Sequence, residues 1–121
     1  MHHVLDVGNC SHDHHTLRHF IESHFSAKVS QAESWHDAQQ HLAQRNYSLV
    51  LVNRLLDADG TEGVEVIRQL KQSEWSAVPA MLVTNFPDHQ QLAVDVGALP
   101  GFGKLALGKP EVLAQLAAVL P

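Results

Sequence analysis

The densest collection of metal-ligating side chains in this sequence is His12-Asp13-His14-His15, followed by His19 and Glu22. On a helix, His15 and His19 share a face at i, i+4 and Glu22 continues it, a spacing that suits Zn²⁺ or Ni²⁺. A solvated helix surface explains the same pattern, so His15 and His19 are weak metal candidates and no resident metal is expected. Cys10 stands just ahead of this segment, and a thiol at a strand-to-helix turn is a formal nucleophile with His12 and His14 nearby. An inert, partly buried thiol is the plainer reading. No catalytic residue is expected, and the chain is expected not to be an enzyme.

Three cofactor patterns come close and fail. Asp57-Ala58-Asp59-Gly60 has the acid spacing of a calcium loop, but the first ligand position falls on Leu55 and the twelfth on Val66 rather than on a glutamate. Asp13, His15 and Arg18 approach an Asp-x-His-x-x-Gly cobalamin signature without its glycine. Gly8 stands alone, without the further glycines of a dinucleotide fingerprint. No cofactor is expected.

The 121 residues, 45% hydrophobic and 17% charged, suffice for one core and are too few for two ordinary domains. No run reaches about 18 apolar residues and Met1–Asn9 lacks a secretory pattern, so no membrane association and a cytoplasmic address are expected. The single cysteine fits a reducing compartment. A net charge of −5 with scattered Lys and Arg offers no track for a nucleic-acid backbone. Protonating all ten histidines would reverse the sign of that charge, so solubility and association are expected to respond to mild acid.

These residues are placed by apolar runs that alternate with helix-period segments. Strands are predicted at Val4–Val7, Ala27–Ser30, Ser48–Val52, Val78–Val83 and, weakly, Gly101–Gly103. SLVLV and VPAMLV are nearly continuous, as in strands covered on both faces. Between them, Leu17, Phe20, Ile21, His24 and Phe25 mark the buried stripe of a first helix, with His24 as a hydrogen-bonded core-edge residue. Ser34 caps a second helix that buries Trp35, Ala38 and Leu42. A third, Glu62–Gln72, turns Val64, Ile67 and Leu70 inward. Asp88 caps a fourth that stops at Gly97, and Pro110 opens a fifth with Leu113, Leu116, Ala117 and Leu120 on one face. Strands alternating with helices in a chain this short imply right-handed crossovers and a doubly wound parallel α/β sheet. Its ligand site lies beyond the carboxyl ends of the strands. That selects Gly8, Asn9, Cys10, Asn53, Thr84, Asn85 and Lys104.

With these residues in place, the layout resembles the receiver domain of bacterial two-component response regulators over nearly the whole sequence. In that family an acidic pair follows the first strand, a phosphoacceptor Asp the third, a Thr or Ser the fourth and a Lys the fifth. YSLVLVN puts Asn53 at the acceptor position, AMLVTN puts Thr84 at the hydroxyl position, and GALPGFGK puts Lys104 at the lysine. Aligned from Glu22, the acidic pair falls on Gly8 and Asn9. Mg²⁺-dependent aspartyl phosphorylation needs carboxylates at those three positions, and here there are none. The family's proline after the lysine is Leu105 and its aromatic switch position is Gly101, with Phe102 one place on.

The resemblance implies a flavodoxin-like five-stranded parallel sheet of order 2-1-3-4-5 with helices on both faces, a single receiver-like domain over residues 1–121 without an output domain. Asn53, Thr84, Lys104, Gly8 and Asn9 then form either a pocket that binds without phosphorylation or the remnant of one, in which Lys104 stabilises the fold. Asp6, Cys10, Asp13 and His14 are its possible neighbours. Asp6 shares a strand face with Gly8 about 7 Å deeper. There it is either a functional group or a structural acceptor, with Lys104 or a hydroxyl as the expected partner. The implied function is an atypical stand-alone receiver acting in signal transduction through protein–protein interaction. A histidine kinase or downstream effector is the expected partner, on residues around His89–Val96 and Ala106–Leu116. The alternatives are a His-rich metal- or pH-responsive binding module and a conventional phosphorelay receiver that uses Asp57 or Asp59.

Overall fold

In the computed structural model, which describes residues 1–121, Leu49–Val52 and Ala80–Val83 are buried at every position, as runs without polar alternation must be. They are the cores of β3 (Leu49–Asn53) and β4 (Ala80–Val83). With β1 (His2–Val7), β2 (Ala27–Ala32) and β5 (Leu99–Phe102) they form one parallel sheet of order β2-β1-β3-β4-β5. The fold class and strand order expected from the sequence are those observed. The helices are α1 (Ser11–His24), α2 (Trp35–Gln44), α3 (Gly63–Lys71), α4 (Pro87–Asp95) and α5 (Pro110–Val119). No helix is long and apolar enough to cross a membrane.

The sheet divides the core in two. Leu5, Val7, Val50, Val52 and Leu82 pack with Ala38, Leu42, Val66, Ile67, Leu70 and Ala93 of α2, α3 and α4. Val4, Leu49, Leu51, Met81, Val83 and Phe102 pack with Leu17, Ile21, Val112 and Leu116 of α1 and α5. Since side chains alternate along a strand, Asp6 shares a face with Val4 and points to the α1 side. That parity decides the partners of a buried carboxylate.

Local signals read from the sequence hold in some helices and shift in others. Ser34 caps α2 as expected: its hydroxyl accepts from the Asp37 N–H at 3.1 Å, and the Asp37 carboxylate accepts from the Glu33 N–H at 2.9 Å. The expected α4 cap, Asp88, instead sits in the first turn, because Pro87 begins the helix and makes Phe86 the cap. The buried stripe of α5 is Val112, Leu116 and Leu120, while Ala117 is exposed and Leu113 half-buried. The apolar composition of α5 leaves more than one possible stripe, and contact with Phe102 and Met81 selects this one. In α3, Val66 is buried and Val64 only half-buried. His24 is not a core-edge residue: it is exposed, its Nδ1 donating to the Phe20 carbonyl at 2.8 Å.

Candidate functional site at the carboxyl ends of the strands

Gly8 leaves β1 with φ 85°, a conformation that a side chain strongly disfavours. The loop after β3 closes over it. Asp57 N–H donates to the Gly8 carbonyl at 2.8 Å, and a Cβ at residue 8 would lie 2.5 Å from Leu56 Cγ. Leu56 is 2% exposed, so the space beside Gly8 is filled by an apolar side chain. Asn9 turns away from the sheet edge. Its Nδ2 donates to Asp6 Oδ1 at 2.5 Å, and its carbonyl accepts from Gln31 Nε2 at 3.1 Å.

Asp6 is fully buried. Its second oxygen, Oδ2, accepts from His14 Nδ1 at 2.8 Å. The partner expected from the sequence, Lys104 or a hydroxyl, is therefore replaced by an amide and an imidazole, because β1 faces α1 and His14 lies one turn into that helix. Lys104 is engaged elsewhere: its Nζ donates to Asp13 Oδ2 at 2.7 Å, with the two side chains 30% and 35% exposed. The hydrogen bond from Lys104 holds the Asp13 carboxyl below its ordinary range, against a smaller opposing effect of burial and with a lesser contribution from Cys10. Cys10 itself caps α1 through its backbone and is partly exposed.

Asn53, Thr84 and Lys104 do meet. They line a cavity of about 190 Å³ with Arg54, Leu55, Val83, Asn85 and Phe86. Within it Asn53 Nδ2 donates to the Leu55 carbonyl at 2.7 Å, and the Thr84 hydroxyl accepts from the Phe86 N–H at 3.2 Å. Lys104 and Asn53 are not hydrogen-bonded to each other. Gly8 and Asn9 do not line the cavity, and Asp6, Cys10, Asp13 and His14 stand on its α1 side. The Arg54 guanidinium lies 5.3 Å from the centre of the Phe86 ring. Arg54 and Phe86 escaped the sequence reading, which followed the positions directly at the strand ends; a cation beside Asn53 was the available signal.

Mg²⁺ chemistry of the kind the layout suggests does not fit these residues. A hard octahedral ion needs carboxylate oxygens, and none lines the cavity: residue 8 has no side chain, and residues 9 and 53 offer only neutral amide oxygens, Asn9 Oδ1 being buried without a partner on the α1 side and Asn53 donating its Nδ2 to the Leu55 carbonyl. Asp57 and Asp59 are exposed on the loop after β3. The Thr61 side chain, and after it the Thr61 N–H that donates to Asp59 Oδ1 at 2.9 Å, hold the Asp59 carboxyl below its ordinary range. On α1, His15 and His19 share a surface with Arg18, Glu22 and Ser23. Glu22 is occupied there by the Val29 N–H at 2.9 Å and by Arg18 at 3.3 Å, and no three His, Cys, Asp or Glu side chains are placed to hold one metal ion.

At the far edge of the site, Gln90 of α4 inserts its carboxamide between β4 and β5, where their register shifts. Nε2 donates to the Leu82 carbonyl at 2.8 Å and the Thr84 carbonyl at 3.3 Å, and Oε1 accepts from the Gly101 N–H at 2.9 Å. The side chain completes hydrogen bonds that the irregular ladder leaves open.

No protein-family model matches the chain, and no curated protein does. Solved structures match along its full length. The signal receiver domain of a DNA-binding response regulator from Colwellia psychrerythraea is 20% identical, with a TM-score of 0.80 and 98% of each chain covered. A response regulator from Thermotoga maritima is 17% identical, with a TM-score of 0.80 over 99% of this chain and 98% of that one. A chemotaxis protein from Vibrio cholerae is 18% identical, with a TM-score of 0.76 over 100% and 99%.

Proposed function

We propose that this chain, whose fold is that of response regulator receiver domains, works as an atypical receiver that signals by binding another protein, without Mg²⁺-dependent aspartyl phosphorylation. The observation that carries the reading is the lining of the cavity at the strand ends. Two cations and three neutral polar side chains face it, and no carboxylate does. The Asn53 carboxamide is a poor nucleophile, and it uses its N–H to hold the loop after β3.

Partner binding then falls to the surface of α4, β5 and α5. Val94, Leu99 and Leu105 are 36%, 40% and 84% exposed there, large apolar side chains left at the surface. A histidine kinase or a downstream effector is the class of partner this fold suggests.

The test is an NMR and thermal-shift titration with Mg²⁺ and beryllofluoride on the wild type, Asn53→Asp and Lys104→Ala, with mass spectrometry after acetyl phosphate treatment. Wild-type spectra are expected to stay unchanged. Asn53→Asp alone is not expected to restore a response, because the first metal-ligand position remains closed by Leu56. A covalent phosphoryl on Asp57 or Asp59 would overturn the reading in favour of a conventional phosphorelay receiver.

A further inference from the structure

We propose that the groove between α3 and α4 is a docking site for a cationic amphipathic helix of a partner protein. The groove is about 540 Å³, nearly three times the cavity at the strand ends. Its α3 wall runs from Thr61 and the cap residue Glu62 through the first turns of the helix to Arg68, a length over which a docked helix presents anchors at i and i+4. Val64 and Leu92 supply the apolar floor, and Leu92 is half exposed.

Charge selects the occupant. Glu62 lines the groove at the start of α3 and is exposed; beyond the lining, Asp88 and Asp95 are exposed on α4 one turn on either side of Leu92, Asp95 accepting from Gln91 Nε2 at 2.8 Å. The cation in the wall, Arg68, is already spent on Glu65 one turn before it. The rim is acidic around an apolar floor, and its complement is a helix with leucine-like anchors on one face and Lys or Arg flanking them. His89 closes the inner end. Its Nδ1 is buried without a partner, and its ring is 5.9 Å from that of Phe86, which lines the cavity at the strand ends. A helix in the groove would press on that shared wall. This surface faces α3 and is distinct from the β5 and α5 side, so the proposal stands whether or not the neighbouring cavity responds to phosphate.

The experiment titrates the ¹⁵N-labelled full chain with a synthetic amphipathic leucine–lysine helix, and with a leucine–glutamate helix of the same pattern. Saturable shifts are expected at residues 61–68 and 89–92 with the lysine peptide. Affinity should fall about tenfold in Leu92→Ser, from the loss of one apolar anchor, and also fall in Glu62→Gln/Asp88→Asn. Both variants change exposed side chains, and their unchanged spectra away from the groove establish folding. Shifts centred on β5 and α5, equal binding of the glutamate peptide, or an affinity indifferent to Leu92→Ser would each overturn the proposal.

Discussion

Replacing His14 with alanine should expose how the Asp6 carboxylate is tolerated in the core. Asp6 has no solvent contact and two partners, Asn9 Nδ2 and His14 Nδ1. Stripping a buried carboxylate of one of its partners generally costs about 3–5 kcal/mol. Two features reduce that figure here: Asn9 keeps donating to Oδ1, and the His14 side chain is itself 13% exposed, so its deletion admits water to Oδ2. The expected loss is therefore about 2–3 kcal/mol, which for a chain of this size lowers Tm by about 10 °C. In urea the midpoint should fall by about 1 M at a typical denaturant slope. Adding Asp6→Asn to His14→Ala should recover part of the loss, since the stranded group is then neutral and can still accept from Asn9. A His14→Ala protein within about 0.5 kcal/mol of wild type, or a double variant that loses the full sum of its parts, would refute the claim that the imidazole is what makes Asp6 admissible.

Two further outcomes follow from the same corner of the molecule. Gly8→Ala combines a left-handed backbone with a methyl 2.5 Å from Leu56 Cγ, so it should destabilise by more than about 2 kcal/mol in denaturant titration, with partial rescue by Leu56→Ala. In acid, the Asp13 and Glu22 carboxyls are both held below their ordinary values, by Lys104 and by the Val29 N–H respectively. Because these folded-state values are depressed, their stabilisation is present above about pH 4 and is lost as pH falls through the lowered values. Urea midpoints against pH should show the Asp13 share of that acid limb disappear in Lys104→Met and the Glu22 share persist.

The elements were legible because their signals are local. Leu49–Val52 cannot be anything but covered on both faces, and Ser34 with Asp37 marks a helix start wherever the chain places it. The α5 stripe was harder: Val112, Leu113, Leu116, Ala117 and Leu120 are all apolar, and only the shape of the β5 surface chooses among them. At the site, the meeting of Asn53, Thr84 and Lys104 follows from topology, since every parallel strand delivers its carboxyl end to the same edge. The partners of the charges do not follow from topology. Lys104 could be expected to reach Asp6, yet Asp13 lies nearer on the first turn of α1 and takes it, leaving Asp6 to His14. Nor does anything in the one-dimensional order announce that Leu56 fills the space beside Gly8, a contact made by a loop folding back across the strand ends.

The Gln90 carboxamide also constrains which sequences this fold can reach by single changes. A Cβ at residue 101 would lie 2.2 Å from the Leu82 carbonyl oxygen and 3.1 Å from Gln90 Oε1. The tightest of these contacts is with the main chain of β4, so a side chain at residue 101 has no room whatever stands at residue 90, while removing Gln90 strands the Gly101 N–H and the Leu82 carbonyl. The two positions are therefore constrained for different reasons, the glycine by the backbone it lies against and the glutamine by the hydrogen bonds it supplies, and exchanging one does not free the other.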